Sequence, residues 1–369
     1  MRVLIAPDKF KGSLSSMQAA NAIRAGIRQK HADWEIDIVP IADGGEGTAR
    51  LLSDALCGRW LDAPCVNALG QPVMAGFGLA LVDGHRVAVM EMSAASGIAM
   101  LSAEERDPWH ASTLGTGQLL MAAVQAGADK IIVGIGGSAT NDGGSGMALA
   151  LGYQFLSSKD GEPLENLPAD LMDAEEILYS LELDLPEIIV ACDVENPLLG
   201  ENGATQIYGP QKGITPDQLT AQEQRLEHLA DLVIDLGHDF RDTPGAGAAG
   251  GLGFGLLGFA GATLKPGFDV VADVTGLREK IAAADLVITG EGSLDAQTLM
   301  GKGPAGVARL AKESGARVIA YAGRTSDEAA LAPIFDQLHS IMGRNPGISE
   351  ADAIGQAEKL LTSLVAATI

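Results

Sequence analysis

Short β-branched runs alternate with helical stretches at both ends of this 369-residue chain. A chain built that way folds most simply around a parallel sheet. Residues 3–6 read as a buried strand. Ser15, followed three positions on by Gln18, forms a capping-box pair, and Ala20, Ile23 and Ile27 then fall at helical spacing. Residues 36–41 give a second strand and 48–56 a second helix. The rhythm returns from Ala284. There, 286–289, 318–322 and 338–341 read as strands, and 305–313 and 351–365 as helices.

Between these ends the pattern changes. From Trp60 to Met92 three apolar stretches are broken at Leu69-Gly70-Gln71-Pro72 and at Asp83-Gly84-His85. Asp-Gly between alternating hydrophobics marks a hairpin, so an antiparallel meander is expected. Residues 112–127 predict a helix, 130–135 a strand, 164–185 acidic surface helix and loop, 187–191 a strand and 218–236 a long helix. The expected organisation is α/β. A doubly wound parallel-sheet domain, residues 1–56 and 270–369, is interrupted by an inserted α/β domain, residues 57–269.

Composition narrows the function. The formal net charge is −23, which repels phosphate backbones and anionic lipid, so neither nucleic acid nor a membrane surface is expected as a partner. The three cysteines, Cys57, Cys65 and Cys192, have no regular spacing and suit a reduced cytoplasm. The N-terminus shows no signal-peptide pattern. Residues 245–262 are uncharged but dense in glycine, which predicts a tight loop entering a packed helix rather than a membrane span.

The 47 glycines cluster beside acids and hydroxyls, mostly just after expected strands, where open α/β sheets bind ligands. Asp8-Lys9-Phe10-Lys11-Gly12-Ser13 opens a helix with two lysines nearby, an arrangement suited to phosphate or carboxylate. Asp43-Gly44-Gly45-Glu46-Gly47 offers two acids for Mg²⁺ or a proton, or else a simple tight turn. Gly134 to Gly144 follows a strand, and its successive N–H groups suit an anion nest. Asp193 stands at a strand's end as a candidate base or metal ligand, or as an Asx-turn before Pro197. Gly245 to Gly251 matches a dinucleotide fingerprint only formally, because Pro244 stands where a strand should end. Thr289 to Gly303 contains Gly301-Lys302, but Ala296 and Gly303 break the Walker pattern.

In this order, APDKFKGSLSS, ADGGEGT, GGSATNDGG, CDVENPLLG, GAGAAGGLGFG and TGEGSLDAQTLMGKG resemble the bacterial glycerate kinases of type I, from residue 6 to residue 303. The first motif departs from the family pattern, with Lys9 where Ser is usual. That puts any role for Lys9 in doubt and leaves Lys11 as the better candidate. The resemblance implies a flavodoxin-like domain and a second α/β domain with an RRM-like fold, with the active site in the cleft between them. It also implies ATP, Mg²⁺ and glycerate as ligands, with 2-phosphoglycerate the usual product and the 3-kinase the alternative.

Under that resemblance the residues take roles by type. Gly136, Gly137, Ser138, Gly250, Gly251, Glu291 and Lys302 are candidates for the nucleotide. Asp43, Glu46 and Asp142 are the Mg²⁺ pool. Asp8, Lys11, Ser13 and Arg324 are candidates for glycerate. Lys11, Asp193 and Asp295 are candidates for catalysis, the two acids as base. A homo-oligomer is left open. A kinase of another small hydroxy acid is the nearest alternative; two further rivals are a nicotinamide-linked oxidoreductase using Gly134-x-Gly136-x-x-Ala139, and a hinge-closing binding protein without turnover.

Overall fold

The computed structural model describes the whole chain except Asp43, residues 180–182, His238, residues 296–297 and residues 299–302. Its strands are β1 (Arg2–Ile5), β2 (Glu35–Ile38), β3 (Arg59–Val66), β4 (Pro72–Val82), β5 (His85–Glu91), β6 (Lys130–Gly134), β7 (Tyr153–Ser157), β8 (Ala174–Tyr179), β9 (Glu187–Ala191), β10 (Thr263–Lys265), β11 (Leu286–Leu294), β12 (Arg317–Thr325) and β13 (Gln337–Ser340). The chain divides into two compact units, residues 1–43 with 268–369 and residues 44–267.

The first unit holds the five-stranded sheet β13-β12-β11-β1-β2, with every pairing parallel. In chain order within the unit this is the 2-1-3-4-5 arrangement of a flavodoxin-like doubly wound fold. Side chains alternate across it. Val3 and Ile5 join Ile23, Ile27 and Leu361 on one face. Leu4 and Ala6 join Leu277, Val307 and Ala311 on the other. Ser15 caps the helix Ser16–Arg28 in a capping box with Gln18, as the spacing predicts. That helix packs on Ala357–Thr368, where a Cβ on Gly26 would lie 2.7 Å from Thr362 O.

The second unit holds the six-stranded mixed sheet β10-β9-β6-β5-β4-β3. The expected meander forms its antiparallel edge, and β5, β6, β9 and β10 run parallel beyond it. Asp83 (φ 50°) and Gly84 (φ 83°) make the β4–β5 hairpin turn. Both are left-handed, as a type I′ turn requires. A separate antiparallel pair joins β7 to β8, and β8 lies in the stretch expected as surface helix and loop.

Two further expectations shift. The helix Thr48–Ala55 packs on β4 and β5, so the second unit begins at Gly44 and not after residue 56. Its amphipathic spacing says that it packs, not which sheet receives it. The strand at 286–289 continues to Leu294, so the glycines of the TGEGS motif lie in a strand and not after one.

Candidate active site

In the first unit β1 runs into Asp8, which is buried. Its N–H donates to Gly290 O at 2.8 Å, and its Oδ1 accepts the Lys9 N–H at 2.6 Å. Phe10, 1% exposed, anchors the loop in the core, and the Phe10–Leu14 bridge closes it. Lys11 and Gly12 are thereby left exposed at the tip. The Ser13 hydroxyl donates to Phe10 O at 2.9 Å.

Beside this loop, Thr289 Oγ1 donates to Ala6 O at 2.7 Å. A Cβ on Gly290 would lie 1.9 Å from Tyr321 O, and one on Gly292 would lie 3.0 Å from Lys11 N. Only glycine lets β11 run this close to its neighbours. Glu291 Oε1 accepts from Thr298 Oγ1 at 2.9 Å, and Arg324 Nε donates to Ser293 Oγ at 3.1 Å. The carboxyl edge of β1, β11 and β12 thus gathers Asp8, Lys11, Ser13, Glu291, Asp295 and Arg324. Lys302 lies outside the described residues.

In the second unit the carboxyl ends of β5, β6 and β9 carry Glu91, Gly134 and Ala191. The Gly44–Gly47 loop (44–47) runs over them. A Cβ on Gly134 would lie 2.7 Å from Gly44 O, and one on Gly136 would lie 3.0 Å from Gly45 Cα. Gly136 and Gly137 are open at this edge, Ser138 is buried beneath them, and Glu46 is exposed. Asp193 Oδ1 accepts the Gly267 N–H at 2.7 Å.

Glu91 escaped the sequence reading. It has no glycine beside it and follows no motif spacing. Its Oε1 accepts the Ala49 N–H at 2.6 Å. Burial raises its pKa above the usual carboxylate range, and the charge of Glu46 adds to the rise against the N–H bonds from Ala49 and Gly47.

Asp142, a Mg²⁺ candidate by residue type, is fully buried. Its Oδ2 accepts from Thr113 N (2.8 Å), Thr113 Oγ1 (2.7 Å) and Gly146 N (3.2 Å), and its Oδ1 from Gly144 N (3.1 Å). Those donors tie the 142–146 turn to Thr113. Gly250 and Gly251, the other nucleotide candidates, are both buried. A Cβ on Gly250 would lie 2.0 Å from Thr140 O, and one on Gly251 would lie 2.8 Å from Gly143 Cα. They interlock with the 140–144 turn.

Beneath that turn lie Lys212 and Arg225, 1% and 0% exposed. Lys212 Nζ donates to Thr140 O at 2.6 Å, and Arg225 Nη1 donates to Trp109 O at 2.9 Å over the Trp109 ring. Burial pulls the Lys212 pKa down to about 7 and that of Arg225 to about 10, against the attraction of Asp142.

The dinucleotide rival loses its geometric support. No helix opens at Gly134–Ala139 (134–139); the next begins only at Ser145, after a turn. A pyrophosphate would have no helix N-terminus to sit on.

For Mg²⁺, no group of three His, Cys, Asp or Glu side chains converges among the described residues. Mg²⁺ bound with substrate phosphates needs only one or two carboxylates, the rest being phosphate and water. Glu46, exposed beside Glu91 at the loop tip, fits that requirement.

Acids, open cations and glycine-relieved loops at the carboxyl edges of parallel strands define an α/β enzyme for small anionic ligands. Comparison with known proteins gives the family. The Glycerate kinase family matches residues 3–369. A glycerate kinase of Bacillus subtilis is 46% identical over 337 residues, 89% of this chain and 86% of the relative. A glycerate 2-kinase of Escherichia coli K12 is 43% identical over 335 residues, 90% and 87% of the two chains. A crystal structure of a protein described as glycerate kinase 2, from Salmonella typhimurium LT2, superposes with a TM-score of 0.88. It has 39% identity and covers 100% of this chain and 96% of that one. The chain belongs to the glycerate kinase family.

Proposed function

We propose that this chain is a glycerate 2-kinase, moving the γ-phosphate of ATP to the 2-hydroxyl of D-glycerate and releasing 2-phosphoglycerate and ADP. The observation that carries this reading is the 43% identity to a glycerate 2-kinase over 90% of the chain.

Phosphoryl transfer asks a protein for positioning and charge neutralisation more than covalent chemistry. The glycerate hydroxyl attacks phosphorus as the bond to the ADP oxygen breaks, and its proton passes to a carboxylate. Asp193 and Asp295 are the candidates, each standing at the end of a strand. Lys11 and Arg324 are exposed cations that suit the glycerate carboxylate, with Asp8 and Ser13 shaping the same loop. The open Gly136–Gly137 turn over Ser138 suits a phosphate nest. Glu291 is a further polar group for the nucleotide. Mg²⁺, when bound, neutralises phosphate charge, and Glu46 would hold it.

No helix among the described residues is long and apolar enough to cross a membrane, and the free thiols of Cys57, Cys65 and Cys192 suit a reducing, cytoplasmic setting.

The test is incubation with Mg-ATP and D-glycerate, following ADP and identifying the product by phosphorus NMR. Glycerate-dependent ADP with a 2-phosphoglycerate signal is expected. A 3-phosphoglycerate signal would overturn the regiochemistry, and ADP no higher than the ATP-only control would overturn the substrate.

A further inference from the structure

The Gly44–Gly47 loop (44–47) is held at three points. Gly44 is pressed on the backbone ends of β6 and β9, where a Cβ would lie 3.0 Å from Ala191 Cβ. Gly45 O accepts both the N–H (3.1 Å) and the hydroxyl (2.6 Å) of Thr48. The third point is Glu91, 42 residues away in sequence, which accepts the Ala49 N–H and the Gly47 N–H.

The helix Thr48–Ala55 needs this third point. Its N-cap is Gly47 at φ 93°, which has no side chain to cap with. The first N–H groups of a helix lack intrahelical partners, and a negative charge there is favoured by the helix dipole. Glu91 supplies both the acceptor and the charge from the end of β5. Ser93 Oγ stands 3.4 Å from its second oxygen. Glu46 lies between Gly47, whose N–H bonds to Glu91, and Gly45, whose Cα packs near Gly136.

We propose that Glu91 is the positioning residue of this loop: its carboxylate fixes the backbone that presents Glu46 beside the Gly136 turn. The functional half of this inference rests on the kinase reading, and the structural half does not. The test therefore has two arms, both on the full chain.

In the first, hydrogen exchange is followed in wild type, Glu91→Gln and Glu91→Ala. Loss of hydrogen bonds to a charged acceptor predicts about tenfold or faster exchange at Gly47 and Ala49 in Glu91→Ala. Exchange in β6 should be unchanged, and Glu91→Gln, which keeps an acceptor oxygen, should fall between. In the second arm, glycerate-dependent turnover is measured in Glu91→Ala, Glu46→Gln and the double variant. Non-additive losses, with the double variant no worse than Glu46→Gln, are expected if Glu91 acts through Glu46.

Unchanged exchange at Gly47 and Ala49 would overturn the proposal. Faster exchange with full turnover, or additive losses, would do so as well. If Glu91→Ala fails to fold, the same criteria apply to Glu91→Gln, scaled to one lost charge. If wild type shows no glycerate turnover, the kinase reading falls and the exchange arm still decides whether Glu91 holds the loop.

Discussion

Lys212 places its ammonium 2.6 Å from the Thr140 carbonyl oxygen, with both residues removed from solvent. That bond ties the short turn Pro210–Lys212 to the interlocked loops at 140–144 and 249–251. It sets a dependence of stability on pH. The Lys212 pKa lies at about 7 when folded, against 10.5 for an ordinary lysine. Between those values the unfolded chain binds the proton more readily than the folded one, so stability from this site rises with pH from about 7 towards 10.5. Below about 7 both states are protonated and the site adds no slope. Melting temperatures at pH 7, 8 and 9 should therefore show a smaller upward trend in Lys212→Met than in wild type. A parallel trend in the two proteins would remove Lys212 from this role.

Asp142→Asn keeps the shape of the side chain but removes the charge that faces Thr113, Gly144 and Gly146, and leaves two buried cations without it. Breaking a buried, hydrogen-bonded charge network of this kind costs about 3–5 kcal/mol. Urea unfolding should register a loss of that order, while the Mg²⁺ dependence of turnover in the folded fraction stays as in wild type. A selective rise in the Mg²⁺ requirement without loss of stability would return Asp142 to the metal site.

Gly250→Ala places a methyl group 2.0 Å from Thr140 O at φ 70°. Both the contact and the left-handed backbone oppose it, and Ala249 beside it already stands at φ 55°. The variant should be destabilised by roughly 2 kcal/mol or more. Gly12→Ala, at φ 79° with nothing within 4 Å of the new carbon, should lose about 1 kcal/mol from the backbone alone. Chemical denaturation of the two variants side by side checks the order, and equal losses would mean that the interlock is looser than its distances imply.

Asp193→Asn and Asp295→Asn separate the two candidates for the base. Removing a general base typically lowers turnover 10²–10⁴-fold, about two to four orders of magnitude. One of the two variants is expected to fall by that much with its melting temperature little changed. Full turnover in both would exclude the pair.

Much of the fold is legible in order along the chain because its signals are local. The capping box of Ser15 and Gln18 needs only four residues to state itself, and the Asp83-Gly84 turn needs only the strands either side. The glycine-rich stretches were legible as special backbone, but their purposes were not. At Gly44, Gly134 and Gly136 the absent side chain lets one loop lie on two strand ends. At Gly250 and Gly251 it lets two loops interlock in the interior, and at Gly290 and Gly292 it lets two strands and a loop run close together. A local run of glycines is common to all three cases.

The sequence by itself determined the alternation of strands and helices, the hairpin edge of the second sheet, and the gathering of acids, hydroxyls and glycines in a few short motifs. Periodicity and turn chemistry act over a few residues and survive without the rest of the chain. Only the tertiary structure decided that the helix Thr48–Ala55 packs on β4 and β5, that Asp142 is enclosed by its donors, and that Glu91 reaches Ala49 from 42 residues away. Each of these depends on which distant groups share a buried volume. Burial and hydrogen-bond partners, not residue type, set whether a carboxylate faces a ligand or holds a loop.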